Sequence, residues 1–172
     1  MLKDGATYHV TARANRQELI LGGDGIKELF IRTLVRAKRK HRFELISVCV
    51  MYNHVHLLIR PRGGESLSKI MQWILSVFAI NFNKRFGLVG HVWRDRFRSK
   101  IIGSLRQFVA TLNYIRNNPA KAQIVEHPDD YRYGPERLAR DGPPGLLDVA
   151  ASLVHLLPTA RATGIRRRRL LS

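Results

Sequence analysis

Met51-Tyr52-Asn53-His54-Val55-His56-Leu57-Leu58-Ile59-Arg60 is the stretch from which the rest of the chain can be read. A strand is predicted from His54 to Arg60, where apolar residues crowd together until Pro61-Arg62-Gly63-Gly64 ends the run. Successive side chains of a strand alternate, so His54 and His56 share one face while Val55, Leu57 and Ile59 share the other. Glu44 to Met51 predicts the preceding strand, and Tyr52-Asn53 suggests a tight antiparallel connection between the two. Paired imidazoles above an apolar opposite face suit a shared metal ion. Taken alone, such a pair is more commonly two half-exposed or hydrogen-bonded side chains.

Working outward toward the N-terminus, Thr7 to Ala12 is rich in β-branched and aromatic residues and predicts a first strand. Gly22-Gly23-Asp24-Gly25 reads as a turn with Asp24 as helix N-cap, and Ile26, Leu29, Phe30, Leu34 and Ala37 then follow at helical spacing to about Lys40. Toward the C-terminus, Leu67, Ile70, Met71, Ile74, Phe78 and Phe82 stripe a helix from about Ser66 to Arg85, with Gly87 just past its end. Gly90 to Ile102 alternates cationic and apolar residues, which predicts one or two strands with a basic face. Ser104 and Gln107 form a capping-box pair opening a third helix. That helix is expected to end near Asn118, because the residue before Pro119 is disfavoured in the α region.

This order predicts an α+β fold, an antiparallel sheet with helices packed on one face. The pattern weakens after Val125. Residues 1–125 are therefore expected to form the main domain and 126–172 a C-terminal extension. Within the extension lie a linker at Asp141-Gly142-Pro143-Pro144-Gly145, a short helix from Leu146 to Leu157 and a basic tail at Ile165-Arg166-Arg167-Arg168-Arg169.

The 172 residues suffice for a real core, and a hydrophobic content of 45% argues against wholesale disorder. Lys and Arg total 30 against 13 Asp and Glu, leaving +17. So large a surplus points to a polyanionic partner, nucleic acid ahead of an anionic membrane surface. No apolar run approaches the roughly 20 residues that span a bilayer, and the first residues lack the apolar stretch of a signal peptide. Cys49, the single cysteine, lies among apolar neighbours as a core filler. A cytoplasmic protein is expected by default.

On the third helix, Leu105, Phe108, Val109, Leu112 and Ile115 form the apolar stripe. Tyr114 falls on nearly the opposite side, and Asn118, four residues on, shares its face. An ordinary surface tyrosine followed by a helix-capping asparagine is the plainer reading of these two. Upstream, Arg94, Arg96, Arg98 and Lys100 share one parity and would form a single cationic row on a strand. Between Val77 and Val125 the only acidic residue is Asp95. Such a row can hold phosphates, or serve as a solvated edge that deters aggregation.

Four blocks, taken together, are more specific than any one of them. They are Tyr8-His9-Val10-Thr11-Ala12-Arg13, Met51 to Leu58, Gly90-His91-Val92-Trp93-Arg94-Asp95-Arg96-Phe97, and Tyr114-Ile115-Arg116-Asn117-Asn118-Pro119-Ala120-Lys121-Ala122. In this order they resemble the tyrosine transposases of the HUH superfamily, especially the REP-associated tyrosine transposases and the related single-strand insertion-sequence transposases. The resemblance runs from about Tyr8 to Val125. It implies a ferredoxin-like antiparallel sheet carrying His54 and His56, with Tyr114 on a helix across from them. By the same resemblance His54, His56 and Asn118 are ligands of a divalent metal, Mg²⁺ or Mn²⁺, and Tyr114 is the nucleophile. The expected substrate is single-stranded DNA bearing a hairpin, cleaved and rejoined through a 5′-phosphotyrosine link. Expected DNA contacts are Arg94, Arg96, Arg98 and Lys100, joined by Arg13, Arg116 and Lys121 from the matched blocks.

A nucleoid-associated cytoplasmic enzyme with no membrane partner follows, either monomer or homodimer. One departure is visible: Tyr52 stands where the family usually has proline. Two other readings stay open, a catalytically silent DNA-binding protein and a metal-dependent hydrolase to which Tyr114 is incidental.

Overall fold

The computed structural model describes residues 5–15 and 20–148. Four strands, β1 (Thr7–Arg13), β2 (Phe43–Val50), β3 (His54–Pro61) and β4 (Arg98–Ile102), are interleaved with helices α1 (Asp24–Lys40), α2 (Leu67–Phe86) and α3 (Leu105–Lys121). A 3₁₀ turn at Pro128–Asp130 and a short helix, α4 (Pro135–Asp141), follow. The strands pair antiparallel in the order β2-β3-β1-β4, which with this element order is the expected ferredoxin-like arrangement. No helix among the described residues is long and apolar enough to cross a membrane.

Strand alternation divides the sheet into two unlike faces. Tyr8, Val10 and Ala12 of β1, Val55, Leu57 and Ile59 of β3, and Leu45, Val48 and Val50 of β2 are almost wholly removed from water. They share one core with Phe30, Leu34 and Ala37 of α1 and with Ile70, Met71, Ile74 and Phe78 of α2. Each large aliphatic side chain so buried contributes about 1.5–3 kcal/mol. Trp93 closes this core: its ring meets those of Phe30 and Phe78, and its indole N–H donates to the carbonyl of Leu75 at 2.9 Å.

The helices are not all on one face. α3 crosses the histidine-bearing side, where Tyr114 meets His9 and His56. Its stripe is too thin to anchor a main core: Ile115 is buried, but Leu105 is 78% exposed. Residues after α3 pack along β2 and reach α1, for Tyr131, Tyr133, Leu138 and Leu146 belong to the common core and the Tyr133 hydroxyl donates to the Asp24 carbonyl. The Tyr131 hydroxyl donates to the Val50 carbonyl at 2.7 Å. Along the outer edge of β2, Asp148 takes the place of a further strand. Its backbone N–H donates to Leu45 and its carboxylate accepts from the Leu45 N–H and pairs with Lys38. The expected helix at 146–157 and the basic tail lie largely outside the described residues.

Local chemistry sets the element ends, in three places differently from expectation. Gly23, not Asp24, is the N-cap of α1, and Asp24 occupies the first turn, where a carboxylate favours the helix dipole. Only Arg98–Ile102 of the basic segment forms a strand, with Trp93 making a lone bridge to Ala14, so Arg94 and Arg96 lie on a loop. And α3 runs through Pro119 to Lys121. Proline in the last turn removes one backbone donor, while the end is closed by paired bonds from Gln123 N–H to Ala120 and from Ile124 N–H to Pro119. The cap at Ser104 forms as read, Gln107 N–H donating to the serine oxygen, while Gln107 Oε1 reaches one residue further back and accepts from Gly103 N–H.

Arg116 turns inward from α3. Only 7% exposed, it pairs with Asp129 at 2.7 Å and with the buried Glu136 at 2.8 Å, tying α3 to the 3₁₀ turn and to α4. It was expected to reach DNA; the buried Glu136 and the half-exposed Asp129 hold it instead. Replacing Arg116 with alanine is expected to lower stability by about 3 kcal/mol in urea unfolding, because the buried Glu136 carboxylate loses its cation. Gln123, at φ +56°, occupies the left-handed position that glycine fills without strain. Gln123→Gly should accordingly raise the urea midpoint slightly, by the equivalent of about 0.5 kcal/mol.

Candidate active site

Antiparallel pairing, rather than proximity in sequence, assembles the site. β1 runs beside β3 so that Arg13 faces His54 and Thr11 faces His56; on its other side Thr11 faces Arg98 and His9 faces Lys100. Face by parity then collects His9, Thr11, Arg13, His54, His56, Arg98 and Lys100 under α3. The rings of His54 and His56 stand perpendicular with centroids 4.8 Å apart. The turn that starts β3 is fixed from below: Met51 N–H donates to the His54 carbonyl, Leu21 N–H to that of Tyr52, and Ala14 N–H to that of Asn53. The buried Lys27 ammonium sits 4.7 Å from the Tyr52 ring, so the residue at the proline position is itself held in place.

His56 is 3% exposed. Its Nδ1 lies 3.1 Å from His9 Nε2 and 3.2 Å from Thr11 Oγ1, while its Nε2 is buried with no hydrogen-bond partner. His54 Nδ1 lies 2.7 Å from Asn53 Oδ1, and the same ring hydrogen-bonds the Asn118 side chain. Burial pushes the His56 imidazole down to about 3, with the charges of His54, His9 and Arg13 acting in the same direction. Burial first, then Arg13, lowers His54, against the opposing bond from Asn118; burial and Lys100 lower His9. All three rings are therefore neutral at pH 7, with lone pairs free to accept or to coordinate.

From α3, Tyr114 brings its ring to 5.4 Å from His56 and 5.7 Å from His9 while remaining 43% exposed. Lys121 places its ammonium 5.7 Å from the Tyr114 ring centroid. A cleft of about 330 Å³ opens beside the phenol, lined by His9, Lys100, Gln107 and Thr111 among others. A second pocket next to it gathers Thr11, Arg13, Arg94, Asp95, Arg96 and Arg98. The sequence-derived residues Tyr114, His54, His56, Asn118, Arg13, Arg94, Arg96, Arg98, Lys100 and Lys121 thus lie in one neighbourhood, and Arg116 lies apart in its ion pair.

Among the described residues no three His, Cys, Asp or Glu side chains gather as a ready metal cluster. A cation here would rest on two imidazoles and the Asn118 amide. The neutral rings and the partnerless His56 Nε2 fit that role.

His9 is the functional-site residue that sequence reasoning passed over. The signal was there in parity: Tyr8, Val10 and Ala12 read as core, which leaves His9, Thr11 and Arg13 on the opposite face. That β1 would lie beside β3, and so bring His9 to His56, is not written in either strand.

Residues 3–118 match the family model described as Transposase IS200 like. Over 101 residues the chain is 25% identical to a Haemophilus influenzae protein provisionally named a REP-associated tyrosine transposase. That alignment covers 53% of this chain and 57% of the relative, little more than half its length. Among solved structures, a REP-associated tyrosine transposase bound to a REP hairpin is similar with a TM-score of 0.70 at 21% identity, covering 100% of this chain and 96% of the other. A bacterial tRNA(His) guanylyltransferase-like protein in complex with GTP is similar with a TM-score of 0.52 at 10% identity, covering 72% of this chain and 66% of that one. At such identities the two structures speak for the fold alone.

The buried histidines make stability acid-sensitive. His56 titrates near 6.5 when unfolded and about 3 when folded, so the unfolded chain binds more protons between those values. Stability is full above pH 6.5 and falls as pH drops through that window, by about 1 kcal/mol per pH unit from this residue. Urea midpoints measured from pH 7 to pH 4.5 should show that slope, and His56→Gln should flatten it.

Proposed function

From the premise that this chain belongs to the family of IS200-like transposases, we propose that it cleaves and rejoins single-stranded DNA at a foldback hairpin, with Tyr114 as the nucleophile. The observation that carries this reading is the half-exposed phenol of Tyr114 held against two neutral imidazoles in a cationic cleft. A tyrosine that merely decorated a helix surface would have no reason to face His9 and His56.

In the proposed reaction the Tyr114 oxygen attacks a backbone phosphorus and its proton passes to solvent. The bond from phosphorus to the 3′ oxygen breaks, that oxygen takes up a proton, and the phosphate stays linked to tyrosine on its 5′ side. The link conserves the energy of the phosphodiester, so a second 3′-hydroxyl can reverse the step and join strands without ATP. Arg13, Arg98 and Lys100 on the sheet, Arg94 and Arg96 on the loop, and Lys121 beside the phenol hold the flanking phosphates. A hairpin as partner is supported by the REP hairpin bound to the similar transposase structure.

His54, His56 and Asn118 would hold a divalent cation, which when bound draws charge from a nonbridging phosphate oxygen and stabilises the departing 3′ oxygen. Two imidazoles are softer ligands than Mg²⁺ prefers, so Mn²⁺ should bind more tightly. Thr11 and His9 would fix the His56 ring through Nδ1 and leave Nε2 toward the ion, as outer partners do for metal-bound histidines.

Incubation with hairpin-bearing single strands from the DNA flanking the gene, with Mn²⁺, should yield a covalent protein–DNA adduct on a denaturing gel. Tyr114→Phe should abolish the adduct while leaving DNA affinity within about threefold, since one hydroxyl is lost from a many-phosphate interface. Nicking without an adduct in both proteins would replace this reading with a hydrolase. Tight binding with neither product would indicate a silent DNA-binding protein.

A further inference from the structure

A lysine is buried where neither helix preference nor solvation favours one. Lys27 lies in the first turn of α1, against the positive end of the helix dipole, and only 2% of it meets water. Among the described residues the one carboxylate within 4.0 Å is that of Asp24, itself 62% exposed. What holds the ammonium is a carbonyl and two ring faces. Nζ donates to the Gly22 carbonyl at 2.7 Å and stands 4.7 Å from the centre of the Tyr52 ring and 5.2 Å from that of Tyr133.

These contacts come from separate segments that meet at the turn before the histidines. Gly22 follows Leu21, whose N–H donates to the Tyr52 carbonyl at 2.9 Å, so Lys27 grips both sides of that bond. Tyr133 is tied to the end of β2, its carbonyl accepting from Val50 N–H at 3.0 Å. Tyr52 leads into Asn53, whose side-chain oxygen lies 2.7 Å from His54 Nδ1 and whose carbonyl accepts from Ala14 N–H. A shift of Tyr52 therefore reaches the His54 imidazole through a single residue. Among the described residues the Tyr52 N–H donates to no backbone carbonyl, so a proline at this position would cost no bond and would stiffen the turn by its fixed φ. Tyrosine has no such stiffness of its own, and the ammonium against its ring supplies it.

We infer that Lys27 is a positioning residue for the candidate metal site: its ammonium, held by Gly22, Tyr52 and Tyr133, sets the turn from which His54 projects. This rests on the proposed reading of His54, His56 and Asn118 as metal ligands, and adds to it a support supplied from α1, in the other layer of the fold. Lys27 and Tyr52 then act as one unit. Loss of either loosens the same turn, and a proline at position 52 makes the lysine dispensable.

The test measures Mn²⁺ binding to the full chain, without DNA, by electron paramagnetic resonance of the free ion. Wild type is compared with Lys27→Met, Tyr52→Leu, the two combined, and Lys27→Met combined with Tyr52→Pro. Methionine matches lysine in length and needs no polar partner, so the urea midpoint of Lys27→Met should stay near that of wild type. Lys27→Met and Tyr52→Leu should each weaken Mn²⁺ binding about tenfold, the scale on which outer supports act in metal sites. Their combination should weaken it no further, since the same interaction is lost in all three. Lys27→Met with Tyr52→Pro should recover wild-type affinity. Excess Mn²⁺ should also restore Tyr114 adduct formation in Lys27→Met, which a damaged fold would not allow. Wild-type affinity in either single variant would overturn the inference, as would losses that multiply in the combination or a proline that recovers nothing. Should Lys27→Met fail to fold, Tyr52→Leu, whose half-buried side chain lies outside the core cluster, decides by the same tenfold criterion. Absence of Mn²⁺ binding by wild type would instead bring down the metal reading, and this inference with it.

Discussion

The whole structure hangs on the two-residue period of β3. Val55, Leu57 and Ile59 are fully buried in the main core, so the imidazoles between and before them have no choice but the other face. A slip of one residue would carry both histidines into the hydrocarbon layer and expose the aliphatic set. That penalty makes the position of His54 and His56 as secure as the core itself. The two-residue connection at Tyr52-Asn53, clamped by backbone bonds from Ala14 and Leu21 and by the Lys27 cation on the Tyr52 ring, fixes where the register begins.

On the polar face the determining quantity is charge. Arg13, Arg98 and Lys100 come from β1 and β4 and flank His9, His54 and His56. Burial together with this cationic field keeps the imidazoles neutral. Neutral rings tolerate dense positive neighbours that imidazolium ions would repel, so a strongly cationic surface and a nitrogen-donor site can coexist within a few ångströms. Arg116 shows the complementary solution: a cation that does not serve the surface is buried, pairs with the buried Glu136 and the half-exposed Asp129, and becomes part of the scaffold joining α3 to the segment after it.

The sheet topology by itself says little about chemistry. A GTP-bound guanylyltransferase-like protein shares enough of the architecture to give a TM-score of 0.52 at 10% identity. What differs between proteins on such a scaffold is the set of side chains presented on the polar face and the helix laid across it. Here α3 supplies Tyr114, Asn118 and Lys121 at spacings of four and three, one face of a helix, and it does so only because it continues through Pro119.

The sequence by itself determined β1 to β3 and α1 to α3 to within a few residues, the opposite faces of the β3 histidines and aliphatics, the helix start at Ser104, and the membership of Tyr114 and Asn118 on one helical face, but not α4 or the short extent of β4. These follow from local rules: period two, period 3.6, and the demand of end groups for hydrogen bonds. The order of strands, the side of the sheet taken by α3, the inward turn of Arg116, the run of α3 past Pro119 and the approach of His9 to His56 were decided only by the tertiary structure. Each depends on partners distant in sequence, 47 residues apart for His9 and His56 and 13 for Arg116 and Asp129. Burial energy and charge pairing select those partners after the local rules are satisfied, and a single strand or helix carries no record of which neighbour will remove it from water.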